Sequence, residues 1–439
     1  MSIILIKILQ FVLSLSFLVL VHEFGHFIAA RIFKIRVEKF YIFFNPWFTL
    51  YKRKFGETEY GVGWLPLGGY VSLSGMIDES MNTEQMKLPP QPWEFRTKPA
   101  WQRLIVMLAG IFMNVITAMV IYSAMLFTWG DSYYRNSDMV NGYVYNEAGK
   151  ELGFEDGDRI LSINGIAVER TNDITNDIFI VDDDVNVTIA RGNDTLNLTL
   201  LHSTIKEIRE QEGYKEFIRE YIPFRVMAVE EESANAHLYC KNDVIYAING
   251  TPVTDGMHGR EILADLKDRN VDIDVVRGVD TLRLTTYINN DGHIGISIPA
   301  GALPHHIEYG FWESIPAGIV RTGDQLASYW EQVKLIFNPE SGLYKEVGGF
   351  IAIGSIFPDH WDWYSFWALT AFLSVALAIM NLLPIPGLDG GHALFTLWEI
   401  ITRRKPSDKF MTVMQWIGLV LLISLMLFAN GNDVIKLFS

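Results

Sequence analysis

The residues best suited to chemistry lie near the start of the chain, in the sequence His22-Glu23-Phe24-Gly25-His26, which is an H-E-x-x-H motif. Histidines four residues apart lie on one face of a helix, where they can share one Zn²⁺ ion. Glu23 lies beside that face and can take a proton from an attacking water. The motif predicts a zinc site with a hydrolytic base; the alternative interpretation is a polar cluster that packs helices together.

A catalytic zinc site needs a third protein ligand and an open position for water. Residues 381–392 read Asn-Leu-Leu-Pro-Ile-Pro-Gly-Leu-Asp-Gly-Gly-His and offer Asp389 as that ligand. Pro384, Pro386 and several glycines predict a break in the helix, and irregular backbone at membrane depth is tolerated only where protein or a wet cavity covers it. His392 lies beyond the break and is a rival third ligand that we rank below Asp389.

Membrane helices must position these residues, because 49% of the 439 residues are apolar and the mean hydropathy is +0.17. Four apolar segments are long enough to span a bilayer, at residues 3–33, 104–128, 366–383 and 410–429. A cleaved signal peptide does not fit the first segment, since its apolar stretch runs on through the H-E-x-x-H motif. Histidines and a carboxylate inside a membrane helix indicate function, because burying them is costly.

Charge is distributed unevenly along the chain. Residues 131–346 hold 19 basic and 37 acidic residues, a net charge of 19 − 37 = −18, and no dense basic stripe that would bind nucleic acid. Basic residues cluster instead in the short loops that flank the apolar segments, which predicts that those loops are cytoplasmic. The termini and the acidic block are then outside the cytoplasm, and the metal site lies toward the cytoplasmic side.

The acidic block contains an internal repeat. Residues 157–165 (Gly-Asp-Arg-Ile-Leu-Ser-Ile-Asn-Gly) align with residues 242–250 (Asn-Asp-Val-Ile-Tyr-Ala-Ile-Asn-Gly), and residues 191–196 align with 277–282. Each copy predicts short strands around an Asn-Gly turn, and a left-handed Asn242 can replace the glycine of the first copy. The pattern resembles bacterial PDZ domains. Apolar residues at helical spacing between 312 and 337 predict an amphipathic connector that rests on the bilayer or on the second copy.

The two chemical motifs and the tandem copies together resemble the site-2 protease family of intramembrane metalloproteases, of the regulator-of-sigma-E protease type. The resemblance implies that His22, His26 and Asp389 bind Zn²⁺ and that Glu23 is the catalytic base. It also implies a membrane-dipping β-hairpin at residues 60–71, which can pair with an unwound substrate. Where the family often has Gly-Pro-x-x-Asn, residues 110–114 read Gly-Ile-Phe-Met-Asn. The residues expected to contact substrate are Asn381, Pro384, Asn114, Gly68 and Gly69.

The expected fold is a polytopic α-helical membrane protein with four transmembrane helices, a membrane-associated β-hairpin and two α+β PDZ domains inserted between helices 2 and 3. The expected segments are helix 1 at 1–33, a cytoplasmic-side loop with the hairpin at 34–100, helix 2 at 101–129, PDZ domains at 130–205 and 206–300, the connector at 301–346, helix 3 with the break at 347–400, and helix 4 at 401–439.

The resemblance implies an enzyme of the bacterial inner membrane that cuts transmembrane segments of trimmed proteins, such as an anti-sigma factor or a signal-peptide remnant. Its partners would be those substrates, the lipid bilayer and C-terminal peptides at the PDZ domains, with no nucleic acid. The alternative is a PDZ-bearing membrane scaffold without activity. An intact set of His22, Glu23, His26 and Asp389 argues against that alternative.

Overall fold

A computed structural model describes residues 3–66, 68–76, 89–338, 341 and 347–438. Parts of the expected segments at 1–2, 77–88, 339–340, 342–346 and 439 lie outside these described residues. The chain divides into two compact units. The first contains the described residues of Met1–Asp131, Glu308–Phe337 and Tyr344–Ser439, and the second those of Ser132–Ile307 and Asn338–Leu343.

The helices in chain order are α1 Ile3–Ile32, α2 Ala100–Trp129, α3 Glu147–Glu151, α4 Ile174–Phe179, α5 His202–Glu210, α6 Gly256–Ala264, α7 Phe311–Phe337, α8 Phe350–Ser355, α9 Trp363–Leu382, α10 Asp389–Thr402 and α11 Asp408–Phe438. The strands are β1 Val37–Ile42, β2 Tyr51–Phe55, β3 Thr58–Val62, β4 Tyr70–Leu73, β5 Asp131–Tyr133, β6 Tyr143–Tyr145, β7 Arg159–Ile163, β8 Ile166–Ala167, β9 Val185–Arg191, β10 Asp194–Leu200, β11 Ile218–Glu220, β12 Ala228–Val229, β13 Val244–Ile248, β14 Thr251–Pro252, β15 Arg269–Arg277, β16 Asp280–Ile288, β17 Ile296–Ser297 and β18 His305–Ile307.

Four of the described helices are long and apolar enough to cross a membrane. They are α1, α2, α9 and the part of α11 at Lys409–Lys436. A helix suits an apolar environment because it satisfies its own backbone hydrogen bonds. The prediction of a multi-pass membrane protein with four spanning helices is confirmed at this level.

The predicted break after the third span lies between the end of α9 at Leu382 and the start of α10 at Asp389. Gly387 adopts a φ of +97°, a conformation that suits glycine. A Cβ at Gly390 would lie 2.3 Å from the Leu383 carbonyl oxygen, so the glycine allows the two chain segments to approach closely. The break therefore places Asp389 at the first position of a new helix.

A four-stranded sheet follows α1, with the strand order β2-β3-β1-β4. Strand β1 lies in the middle, parallel to β3 and antiparallel to β4. The prediction of a hairpin at residues 60–71 is therefore wrong: apart from Leu67, which lies outside the described residues, this stretch crosses from one side of β1 to the other. The crossing is close, since a Cβ at Gly63 would lie 2.1 Å from the Phe44 carbonyl oxygen. The hairpin of this sheet is β2–β3.

The amphipathic connector contains α7, which packs against α2 and α9 in the first unit. Gly318 lies against Ser123 of α2, where a Cβ would approach the serine Oγ to 2.2 Å. Arg321 lies over the Tyr122 ring and donates to Asp131. The expectation that this helix rests on the bilayer or on the second repeat copy missed these partners, because helical periodicity identifies a packing face but not what covers it.

The second unit contains two four-stranded sheets with matching topology, β10-β9-β7-β8 and β16-β15-β13-β14. The aspartate of each repeat copy is buried and pairs with the arginine that begins the later aligned segment. Arg191 donates to both carboxylate oxygens of Asp158 at 2.7 and 2.8 Å, and Arg277 donates to those of Asp243 at 2.7 and 2.9 Å. Asn242 has a φ of +73°, as the sequence predicts.

The boundary between the two copies differs from the expected one at 205/206. Strand β11 pairs with β6 of the first copy, and Ile208 and Phe217 lie in the first copy's apolar core. The repeated motif locates the centre of each copy, but the strand that completes the first copy has no repeated sequence signal. Its packing becomes visible only in the structure.

Candidate active site

Three side chains that can bind a metal converge where α1 meets α10. The Nε2 atoms of His22 and His26 lie 3.0 and 3.2 Å from Asp389 Oδ2 and 3.2 Å from each other. His22 and His26 are buried, and Asp389 is partly buried. Among the described residues, this trio is the group of three or more histidine, cysteine or acidic side chains placed to hold a metal ion.

The donor set fits Zn²⁺. Zinc binds nitrogen and oxygen at about 2.0–2.2 Å with tetrahedral geometry, which places neighbouring ligand atoms roughly 3.4 Å apart. The three observed separations of 3.0 to 3.2 Å approach that spacing. His392 lies on α10 one turn beyond Asp389 and is not part of this trio, although it lines the same cavity.

Polar groups of α2 hold the other side of each imidazole. His26 donates from Nδ1 to the Val106 carbonyl oxygen at 2.8 Å, which leaves Nε2 free to bind a metal. The Asn114 side-chain amide lies 3.2 Å from His22 Nδ1 and is fully buried. Asn114 Oδ1 has no partner among the described residues, and turning the amide would let it accept from a protonated His22 Nδ1.

Asn114 thus lies against a histidine of the trio, and it also lines the cavity onto which the trio opens. Its expected contact with substrate stays a prediction. Its backbone carbonyl also accepts from Ser374 Oγ of α9 at 2.8 Å. The asparagine connects α1, α2 and α9 at one buried point. We infer that it positions His22, which would be visible as a loss of zinc affinity in Asn114→Leu without a change in the position of α2.

Gly110 is a site residue whose role the sequence did not indicate. A Cβ at this position would lie 2.4 Å from His26 Nε2 and 2.7 Å from His22 Cε1. The absent side chain therefore makes room for both imidazoles. The Gly-x-x-x-Asn spacing places Gly110 and Asn114 on one face of α2, and that spacing is the signal from which both roles could have been found.

We expect Gly110→Ala to weaken zinc binding by roughly tenfold or more, because the new methyl group would displace the imidazole nitrogens. Zinc affinity of the purified protein, measured by competition with a chelator, checks this. Gly431→Ala on α11 is the matched control, since a Cβ there meets no atom within 4 Å. Equal zinc affinity in Gly110→Ala and wild type would contradict the geometry described here.

The trio opens onto a cavity of about 890 Å³ within the first unit. Glu23 lines this cavity beside the trio but is not a member of it. Asn381, Gly68 and Gly69 also line the cavity, as do all four residues of β4. Pro384 is exposed and is not among the described lining residues, so the structure does not bring it to the site.

Among the described residues, strand β4 stands at the edge of its sheet, next to β1. An edge strand can accept an additional extended chain through backbone hydrogen bonds. Gly69 precedes this strand, and a Cβ there would lie 2.7 Å from the Tyr41 carbonyl oxygen and 3.6 Å from Glu23 Cγ. The strand edge and the candidate base therefore belong to the same cavity.

A multi-pass helical fold that carries an H-E-x-x-H helix, a third ligand after a helix break and a cavity at the metal trio defines a class of membrane metallopeptidase. The comparisons with known proteins agree. The model of Peptidase family M50 matches residues 10–425, and the chain belongs to that family.

Similar proteins cover nearly the whole chain. A protein of Campylobacter jejuni, provisionally named a zinc metalloprotease, is 28% identical over 436 residues, which are 98% of this chain and 94% of that protein. Metalloprotease MmpA of Caulobacter vibrioides is 26% identical over 447 residues, which are 98% and 96% of the two chains. The predictions of a site-2-type family, of a zinc metalloprotease and of Zn²⁺ as its cofactor are confirmed.

Proposed function

We propose that this protein is an intramembrane zinc protease that hydrolyses a peptide bond within a transmembrane segment of its substrate. The observation that carries the proposal is the placement of His22, His26 and Asp389 on one cavity with Glu23, within the unit that contains the spanning helices. A hydrolytic site on membrane-spanning helices favours a substrate that also lies in the membrane.

The chemistry divides between the metal and the chain. When bound, Zn²⁺ polarises the scissile carbonyl and makes water at the site more acidic. The Glu23 carboxylate takes a proton from the attacking water and returns it to the nitrogen of the leaving amine. Asn381 lines the cavity, and its side-chain amide is of a type that can donate to the substrate carbonyl. The outer hydrogen bond of His26 to Val106 keeps its imidazole oriented while the proton moves.

The substrate must unwind before this chemistry can occur. Peptide groups of an intact helix are engaged in their own hydrogen bonds and shielded by side chains, and leaving them unpaired in a membrane costs several kcal/mol each. We propose that the edge of β4 pairs with the unwound segment, since all of its residues line the cavity. Pairing would hold the extended backbone beside Glu23.

We further propose that the substrates are membrane proteins whose outer domain has already been trimmed, in a pathway of regulated intramembrane proteolysis. The sequence resemblance supports this through the two PDZ-like copies of the second unit, which would exclude bulky substrates or bind a newly formed C-terminus. A transmembrane substrate that carries a folded outer domain should then be cleaved more slowly than its trimmed form. Equal rates would count against a filtering role.

Removal of the metal tests the proposed function directly. Protein treated with a chelator should lose cleavage of a model transmembrane substrate, and added Zn²⁺ should restore it. Zinc content by elemental analysis and the cleavage rate are measured on the same samples. Cleavage that persists in zinc-free protein would refute a metal-dependent reaction.

The orientation in a bacterial inner membrane is also a proposal, supported by the basic residues of the short loops. Loops after α1, before α2 and between α10 and α11 carry most of them, which favours a cytoplasmic location. With Cys240 replaced, a cysteine at Asn193 should react with an impermeant thiol reagent in intact cells, and one at Lys405 should not. The reverse labelling pattern would invert the orientation.

A further inference from the structure

Two polar side chains in the catalytic cavity have no part in the chemistry described above. His392 follows Asp389 by one turn of α10, and Gln415 lies on α11; both line the cavity. The Gln415 side chain hydrogen-bonds the His392 imidazole. Together they form a polar pair, which we call the His392–Gln415 pair.

The burial of Gln415 is unusual for its helix. Only 11% of the residues in the most apolar part of α11 are buried, and most of the large apolar side chains of this helix are exposed. Gln415 is nevertheless 94% buried, with 6% of its surface exposed. A membrane helix that turns most of its apolar residues outward and this amide inward indicates a use for the amide, because polar side chains inside a membrane protein are costly and are mostly found at functional sites.

The face of α11 that carries Gln415 is fixed against the helix break. Gln415, Leu419 and Leu422 recur at helical spacing and all line the cavity. Between them, Gly418 lies so close to the break that a Cβ would come within 1.5 Å of the Pro386 carbonyl oxygen. This contact holds α11 at one rotation and keeps the amide at the cavity.

An unwound substrate segment needs hydrogen-bond partners on both of its sides, and β4 can pair with only one of them. A strand edge pairs with alternate peptide groups of its neighbour, and the remaining groups point away from it. In a membrane each of those groups must find another partner. A glutamine amide has two N–H donors and an acceptor oxygen, and a neutral imidazole has one donor and one acceptor. Beyond the bond that the two side chains share, the pair therefore keeps groups that can bind one peptide group.

We propose that the His392–Gln415 pair is a substrate-binding contact that hydrogen-bonds the backbone of the unwound segment on the wall formed by α10 and α11. The inference rests on the proposed function, because it assigns part of the same cavity to substrate. It gives His392 a role other than metal binding. It also makes the last spanning helix a direct participant in substrate recognition.

Substrate affinity without turnover gives the test. In the Glu23→Gln background, full-length zinc-loaded protein in lipid nanodiscs is titrated with a fluorescent transmembrane peptide. Gln415→Met, which keeps the length and loses both hydrogen-bonding groups, should raise the Kd about tenfold. His392→Leu should have a similar effect, while His392→Gln retains a donor and an acceptor and should preserve most of the affinity. Ser424→Ala, at an exposed position of α11, is the matched control.

A modified peptide identifies the bonded group. N-methylation of the peptide group that contacts the pair should weaken binding to the parent protein but add little to the loss in Gln415→Met, since both changes remove the same hydrogen bond. If the loss of affinity from N-methylation multiplies with the loss from Gln415→Met at every position tested along the segment, the proposal is overturned. Unchanged affinity in Gln415→Met would also overturn it. Zinc content should match the parent in both His392 variants, and zinc loss in His392→Leu would instead make His392 a ligand.

These outcomes are separate from those of the proposed function. If zinc-loaded wild type cleaves no transmembrane substrate, the proposed function fails. If wild type cleaves and Gln415→Met binds the peptide as tightly as its parent, only the role of the pair is refuted.

Discussion

Replacing Glu23 with glutamine should leave zinc in place and reduce cleavage about 10³-fold. The amide has nearly the same shape as the carboxylate but cannot take a proton from water, and loss of a general base costs about 10² to 10⁴ in rate. Zinc should stay because Glu23 is outside the trio of His22, His26 and Asp389. The measurement is zinc content together with the single-turnover rate on a trimmed transmembrane substrate.

Glu57→Gln provides the matched control, because it makes the same chemical change at an exposed turn between β2 and β3 of the same unit. It should cleave like wild type. Two results would contradict the assignment of Glu23. Zinc that is lost along with activity would make it a ligand, and activity that survives would place the base elsewhere in the cavity.

The local elements of the site could be predicted from sequence. The H-E-x-x-H spacing places two histidines on one face of α1 whatever surrounds that helix. Two prolines and a glycine end α9 before Asp389 because they disfavour a continuous helix there. Both statements depend on neighbours in sequence, and the structure has α1 and the break at the expected places.

The contacts between distant segments could not be predicted in the same way. The hairpin expected at residues 60–71 rested on the family resemblance, but β1 lies between the two ends of that stretch. A parallel pair such as β1 and β3 has no short turn that would reveal it. Likewise, the apolar period of α7 is compatible with several partners, and only the approach of Gly318 to Ser123 identifies α2 as one of them.

Contacts between distant segments also determine which residues belong to the site. The contact of the Asn114 amide with His22, 92 positions earlier in the chain, was not expected from the sequence. Gly110 has no chemistry of its own, so its importance depends wholly on the two imidazoles that lie against it. Such residues acquire a function only through packing, which a single sequence does not reveal.

Asp389→Ala should lower zinc affinity more than about 100-fold and reduce cleavage to the level of the metal-free protein. One carboxylate oxygen of Asp389 lies within 3.2 Å of both histidine nitrogens, so its loss removes the ligand that connects α10 to α1. Two histidines alone are fewer than the three protein ligands of catalytic zinc sites. The first position of a helix also favours a negative charge, and alanine forfeits that interaction.

Two further variants make this result specific. Asp389→Asn keeps the shape and a weaker oxygen ligand, so its zinc affinity should fall between those of wild type and Asp389→Ala. His392→Ala removes a neighbouring imidazole from the same helix and should retain zinc, because that residue is outside the trio. Competition with a chelator gives the affinities, and circular dichroism confirms that the helices persist. If Asp389→Ala keeps full zinc occupancy while His392→Ala loses it, the third ligand is His392, and α10 must turn in the metal-bound protein to bring that imidazole to the histidines of α1.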